Sequence, residues 1–477
     1  MPSAVIQSAI TPIAVTPPAL RPTPARLEWW LDARFGVSYH WGLYAAGGRG
    51  EWVRAAEQLS PEAYRRYFDT FDPVNFDPRH WARLAKRAGA GYAILTTKHH
   101  DGFCLFDSKL TDFNAARAPA GRDLVRQYVD AFREEGLRVG LYYSLVDWNH
   151  PEYPAFGDRQ HPRRNDASMK DVAHDFAAYR RFMHGQVREL MTNYGTIDLL
   201  VFDFSYWQYT GEAWGATDLM KMIRDLQPNI VLNDRLGNGE GGSLKDTNPP
   251  EWAGDFDTCE LNTPHDPPVD AQGRILPWEL WITHNNSWGY GSNDHDFKQP
   301  ADVIRTLANC VSKAGNLTFN MGPDARGRLH PRSEADLHDI ARWMSLNADS
   351  VRGCTMADLP RPDFGRYTLS NDGKTLFAHV TEQPMGHLTL RGLRGKVRNP
   401  RLLATGAECF LSDYWNKPIQ QFGRPDDVFL NVHKPVPHTF PLPDPTDTVI
   451  AMDVVPLAEQ PAVAQQQTSP PDPRKPM

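Results

Sequence analysis

Tyr92-Ala-Ile-Leu-Thr-Thr-Lys-His-His-Asp-Gly-Phe103 is an apolar run, Tyr92 to Leu95, that drops into a dense polar cluster: Thr96, Thr97, Lys98, His99, His100 and Asp101. A short apolar run closed by a glycine turn reads as a buried strand. The run before it, Trp81-Ala-Arg-Leu-Ala-Lys-Arg-Ala-Gly-Ala90, reads as a helix, so the two form one unit of an α/β repeat. Polar groups crowded at the carboxyl end of a buried parallel strand lie where (β/α) folds keep their chemistry. The plainer alternative is a core strand with a solvated end.

Working outward, the same alternation recurs. Phe35-Gly-Val-Ser-Tyr-His-Trp-Gly42 is the first strand, followed by a glycine-rich loop and Glu51-Trp52. After the Tyr92 strand comes an amphipathic helix, Gly121 to Gly136, stopped by glycine. It feeds the strand Arg138-Val-Gly-Leu-Tyr-Tyr-Ser-Leu145. A loop rich in proline and histidine follows, from Asp147 to about Arg164. A long helix, Asp171 to Asn193, leads to the strand Ile197-Asp-Leu-Leu-Val-Phe-Asp203, and a helix from Glu212 to Leu226 leads to the strand Asn229-Ile-Val-Leu-Asn-Asp-Arg235. From Gly237 to Pro277 regularity fails around a brief strand near Asp255 to Glu260. Strands at Trp278 to Asn285 and Gly315 to Gly322, with helices between and after them, complete eight.

Beyond Val351 short strands separated by turns predict an antiparallel β domain. The expected architecture is α/β: a (β/α)8-like barrel over 25–350, then a C-terminal antiparallel β-sandwich over 351–455. Residues 1–24, rich in Pro, Ala and Thr, predict a flexible arm, and 456–477 a disordered tail. The net charge of -7 and the lack of a dense Lys/Arg run argue against nucleic acid as a partner. No run is long enough to span a bilayer, and no secretory signal is evident. Five scattered cysteines form neither a disulfide framework nor a zinc pattern, so a reducing, cytoplasmic location is the expectation.

On a barrel the strand ends converge on one face. They carry His40 and Trp41, His99 and His100, Tyr142 and Tyr143, Asp203, then Asn233, Asp234 and Arg235. Glu260, Trp281, Trp288 and Tyr290 follow. Aromatic platforms with histidines, arginine and two or more carboxylates fit carbohydrate chemistry, since glycoside cleavage uses a carboxylate pair. Any single tryptophan is as readily core material. Asp203 is the sharpest carboxylate, delivered to the barrel mouth by Leu199-Leu-Val-Phe202, with Arg235 as its natural partner. A structural Asp203–Arg235 ion pair is the plain alternative. Metal ligation by His99 and His100 is disfavoured, because adjacent strand residues face opposite ways and no H-x-H or H-E-x-x-H occurs.

These residues are familiar as a set. The chain resembles the α-L-fucosidases of glycoside hydrolase family 29. The resemblance lies in Phe35-Gly-Val-Ser-Tyr-His-Trp-Gly-Leu-Tyr44, Glu51-Trp52, Leu95-Thr-Thr-Lys-His-His-Asp-Gly-Phe-Cys104 and Ser108-Lys109. It continues in Asp198-Leu-Leu-Val-Phe-Asp203, Asn233-Asp-Arg235, Asn285-Asn-Ser-Trp-Gly-Tyr290 and Val311-Ser-Lys-Ala-Gly-Asn-Leu317. It implies retaining, exo-acting hydrolysis of terminal α-L-fucosyl residues from fucosylated oligosaccharides or glycoconjugates, through a covalent fucosyl-enzyme. By motif, Asp203 matches the nucleophile, and His40, Glu51, Trp52, His99, His100, Tyr143, Arg235 and Trp288 match fucose-binding positions. Glu260, in Gly254-Asp-Phe-Asp-Thr-Cys-Glu260, is the preferred acid/base, and Glu279 its rival. No metal or organic cofactor is implied.

Two departures stand out. Some relatives carry tryptophan where this chain has Val201, and Phe204-Ser-Tyr-Trp207 replaces a glycine-rich turn often found there. Linkage preference and aglycone are therefore open, as is homo-oligomeric assembly. The alternatives are a barrel glycosidase for a related sugar such as galactose, and a carbohydrate-binding relative without turnover.

Overall fold

The computed structural model of the chain describes residues 15–206, 208–237, 243–382, 386–413, 424–432 and 441–460. Eight strands form one curled sheet: β1 (Phe35–Tyr39), β2 (Tyr92–Lys98), β3 (Arg138–Ser144), β4 (Leu199–Asp203), β5 (Val231–Leu232), β6 (Asp257–Glu260), β7 (Trp278–Thr283) and β8 (Asn316–Met321). They pair in parallel in the order β5-β4-β3-β2-β1-β8-β7-β6. The two ends of the sheet meet through a single parallel bridge, Asn233 with Phe256. Gly254 makes this closure possible, since a Cβ there would lie 2.2 Å from the Asn233 carbonyl oxygen.

Every residue of β2 is buried, which is why its sequence reads as a continuous apolar run instead of an alternating one. One face looks into the barrel and the other onto helices. The helix Pro78–Arg87 starts where Asp77 accepts from the His80 N–H (2.9 Å) and Pro78 presets the first turn. It buries Trp81, Ala82, Leu84 and Ala85, the one-sided spacing of a surface helix, and hands over to Gly89 at φ 92. The helix Leu124–Glu134 repeats the device, with Asp123 accepting from the Arg126 N–H (2.8 Å).

The C-terminal part is antiparallel. A five-stranded sheet, β13 (Val397–Leu402), β16 (Thr448–Val454), β11 (Thr375–Val380), β10 (Gly365–Ser370) and β9 (Cys354–Thr355), faces a three-stranded one. The smaller sheet is β12 (Leu388–Leu390), β15 (Val428–Asn431) and β14 (Phe410–Ser412). Alternation splits the larger sheet. Leu376, Ala378, Ile450 and Met452 join Leu388, Leu390 and Leu430 in the sandwich core. Phe377, Val449 and Ala451 join the barrel's core instead, so the sandwich is docked on the helical shell.

One expectation changes. Residues 15–24 are pinned: Ile275 donates to Ala19 (3.0 Å) and receives from Arg21 (2.9 Å), and Val15 is buried in the sandwich core. Residues 1–14, the tail beyond Gln460, and Trp207 lie outside the described residues.

Candidate active site

β4 delivers Asp203 to the carboxyl-end face, and its last turn of chain is held by an asparagine. β5 stops at Leu232, and the Asn233 side chain takes over the pairing. Its Oδ1 accepts from the Phe202 N–H and its Nδ2 donates to the Phe202 carbonyl, both at 2.8 Å. Asp203 is then bracketed. Tyr142 donates to Oδ2 (2.6 Å), and Arg235 Nη1 (2.7 Å) and the Phe204 N–H (2.9 Å) donate to Oδ1. Phe204 takes φ 73, a costly conformation for a residue with a side chain, stabilised here by packing on His100 at 4.3 Å between ring centres.

Glu260 ends β6 on the opposite side of the sheet's closure. Its Oε1 lies 2.6 Å from the same Arg235 Nη1. Two oxygens held by one nitrogen at 2.7 and 2.6 Å cannot be farther apart than the sum of those lengths, about 5.3 Å. Burial works against the Arg235 charge, but Glu260 and Asp203 outweigh it and hold the guanidinium firmly protonated. The ion pair considered from the sequence is present, and it is a triad instead of a pair.

Three imidazoles line the floor. Asn320 donates through Nδ2 to the Trp288 carbonyl (2.7 Å), which turns its Oδ1 toward His40 Nδ1 (2.8 Å). The proton is therefore on Nδ1, and Nε2 is an acceptor. Ser144 donates to the Val146 carbonyl (3.0 Å), so its oxygen accepts from His100 Nδ1 (2.7 Å). His99 Nδ1 is buried without a hydrogen-bond partner among the described residues. Burial lowers the His40 pKa to about 4, against the opposing bond to Asn320. Burial, then the neighbouring His100 and His40, pushes His99 far below the usual range. Burial, then His40 and Lys98, does the same for His100. The cluster is neutral at pH 7 and offers directional donors and acceptors, suited to hydroxyl groups.

The cavity holding these groups measures about 270 Å³ and is lined also by Trp52, Tyr142, Val201, Phe204, Ser205, Tyr206, Thr258, Trp281, Trp288, Arg159 and Gln160. Of the residues expected from sequence, Asp203, Glu260, His40, Trp52, His99, His100, Arg235 and Trp288 are brought together there. Two are not. Tyr143 points outward, donates to Gln186 Oε1 (2.7 Å) and lies beside Lys98; Tyr142 faces the cavity. Strand alternation decides this, since Tyr142 pairs with Val201 two residues before Asp203. Glu51 is buried behind the wall, accepting from the Gly289 N–H (2.7 Å) and so bracing the Trp288 loop. Its burial raises its pKa.

The alternation argument against His99 and His100 sharing a face also needs correction. β2 ends at Lys98, and the chain turns there, with Gly102 donating to the His99 carbonyl (3.1 Å). Both rings enter the cavity, 3.9 Å apart. Among the described residues no three His, Cys, Asp or Glu side chains are placed to hold a metal ion. Glu279 is fully buried within the barrel, bonded by Tyr92 (3.2 Å), Thr318 (3.0 Å) and the Trp281 indole N–H, and does not line the cavity.

The α-L-fucosidase family model matches residues 15–349. The α-L-fucosidase isoenzyme 1 of Paenibacillus thiaminolyticus is 50% identical, with a TM-score of 0.86 over 90% of this chain and 99% of that one. The family 29 α-L-fucosidase of Bacteroides thetaiotaomicron, solved as a trapped covalent intermediate with 2-fluoro-fucosyl fluoride, is 27% identical. Its TM-score is 0.77 over 93% of this chain and 98% of its own. The α-L-fucosidase of Dictyostelium discoideum is 26% identical over 393 residues, 76% of this chain and 79% of the relative. The chain belongs to the α-L-fucosidase family, glycoside hydrolase family 29.

Proposed function

We propose that this glycoside hydrolase is a retaining exo-α-L-fucosidase acting on terminal α-L-fucosyl residues of fucosylated glycans, with Asp203 as nucleophile and Glu260 as acid/base. The observation that carries the reading is the shared Arg235 nitrogen. A separation of about 5.3 Å or less leaves no room for a water between nucleophile and sugar, as a double displacement requires. The trapped covalent intermediate of the Bacteroides relative supports the same course.

Arg235 gives the two steps a constant charge balance. Before attack Asp203 is ionised and Glu260 carries the proton. Asp203 then attacks the anomeric carbon while Glu260 protonates the departing oxygen, so the ester neutralises one carboxyl as the other becomes anionic. The guanidinium faces one negative charge at each stage. Glu260 next takes a proton from water, which attacks the anomeric carbon and releases fucose with its configuration kept. The neutral imidazoles of His40, His99 and His100 hold ring hydroxyls, and Trp288 and Trp281, 6.2 Å apart, flank the apolar side of the sugar. These binding roles are part of the proposal.

Azide tests it. Asp203→Gly with azide should yield a fucosyl azide of inverted configuration, and Glu260→Ala with azide one of retained configuration. Retention of normal turnover on a poor leaving group by Glu260→Ala would overturn the assignment. Aryl galactosides assayed beside aryl α-L-fucosides separate the galactose alternative, and any hydrolysis excludes a binding protein without turnover. A cytoplasmic location also belongs to the proposal, supported by the buried free thiols of Cys104, Cys310, Cys354 and Cys409.

A further inference from the structure

We propose that the mouth of the cavity is a leaving-group subsite for an anionic saccharide, built by Arg159 against Tyr206; this rests on the fucosidase reading above. The floor is occupied by groups suited to one sugar ring, but the cavity continues to Arg159, Gln160 and Tyr206, which come from the loops after β3 and β4. These are the Asp147–Arg164 loop and the turn that departs from the family's glycine-rich form.

The corner is built, and its centre is Asp158. That carboxylate is fully buried. It accepts from the Tyr153 hydroxyl (3.2 Å), the Tyr206 hydroxyl and the Gln160 N–H (2.9 Å), and its own carbonyl accepts from the His161 N–H (3.0 Å). Both oxygens are committed to these donors. The clamp ties the first loop to the residue three after Asp203, and Tyr206 in turn packs edge-on against Phe204, 4.9 Å between ring centres. Arg159, the next residue, carries its guanidinium 5.9 Å from the Tyr206 ring centre.

Charge then sets the ligand class. Arg235, the cavity's other arginine, is already engaged through Nη1 by Asp203 and Glu260. Arg159 is exposed and forms no ion pair with any carboxylate among the described residues. A tyrosine ring packs a sugar face, and a free planar guanidinium beside it matches a carboxylate or sulfate through paired N–H donors. A leaving saccharide bearing either anion, next to the bond being cut, satisfies both.

The test compares linkage-matched α-L-fucosides whose leaving residue is glucose or glucuronate, and galactose or galactose 6-sulfate. A neutral aryl α-L-fucoside is the control for turnover itself. The ratio of kcat/KM for anionic over neutral leaving groups should fall about tenfold in Arg159→Gln, further in Arg159→Glu, and with added salt in the wild type. The glucuronate and sulfate arms show which anion is taken. Calorimetric binding of glucuronate and of galactose 6-sulfate to wild type and Arg159→Gln gives a readout without turnover. A ratio or a binding constant that Arg159→Gln leaves unchanged overturns the subsite. Failure of the aryl fucoside control alone overturns the fucosidase reading instead.

Discussion

Replacing Tyr142 by phenylalanine removes the 2.6 Å bond to Asp203 Oδ2 and little else, because the ring keeps its place beside His99 and His40. The effect depends on which step is watched. In the first step Asp203 loses charge, so a donor to it is worth less in the transition state than in the free enzyme. In the second step Asp203 is the leaving group and charge returns to it, so the same donor is worth more in the transition state. A hydrogen bond to a charged group is worth about 1.5–3 kcal/mol, and about half is realised midway. The second step should therefore slow by about 1 kcal/mol, or roughly fivefold. With an aryl α-L-fucoside whose leaving group departs easily, kcat falls by that factor, KM falls with it, and a burst of aryl alcohol appears as fucosyl-enzyme accumulates. Tyr143→Phe is the control. It strands Gln186 in the core and should lower Tm at a cost of about 1–3 kcal/mol while leaving the burst unchanged. A burst in Tyr143→Phe and none in Tyr142→Phe would refute the strand-face assignment and the charge argument together.

Asn233→Ala leaves the buried Phe202 N–H and carbonyl without partners, so denaturant unfolding should show a loss of about 2–4 kcal/mol, and kcat should fall with it as Asp203 loses its support. Gly254→Ala drives a Cβ into the Asn233 carbonyl where the barrel closes, and should destabilise by about 3 kcal/mol; a variant with wild-type Tm would contradict the close approach. Glu279 titrates near 7 instead of 4.5, because burial outweighs the bonds from Trp281, Thr318 and Tyr92. The folded state thus holds an extra proton, and the stability this gives is complete below pH 4.5 and lost as pH rises through 7. Relative to Glu279→Gln, wild type should lose about 3 kcal/mol between pH 4.5 and 7, measured by chemical denaturation at each pH. A flat difference would place the carboxyl in contact with solvent.

The barrel was legible where burial is two-sided or a turn is closed by side chains adjacent in sequence. β2 reads as a strand because all seven residues are buried, and the helix before β3 reads as amphipathic because Leu124, Val125, Tyr128, Val129 and Phe132 share its buried face. The place of Asp203 at the cavity was legible for the same reason: an apolar run can end in a carboxylate only where that carboxylate finds donors. Legibility failed wherever a choice depends on a neighbour distant in sequence. Leu141-Tyr142-Tyr143 is apolar throughout, and only its pairing with Leu200-Val201-Phe202 selects the tyrosine that faces Asp203. His99 and His100 share a face because the strand stops one residue earlier than alternation assumes. Residues 15–24 look unstructured because they are held by backbone bonds to Ile275, which composition does not record. The cavity mouth is the extreme case. Arg159 and Tyr206 meet through Asp158, 48 residues from Tyr206, and no local pattern marks such a contact. The part of the site that handles one sugar is carried by strand ends and is open to sequence reading. The proposed leaving-group corner is carried by a clamp between two loops, so it can change without disturbing any motif by which the chain is recognised.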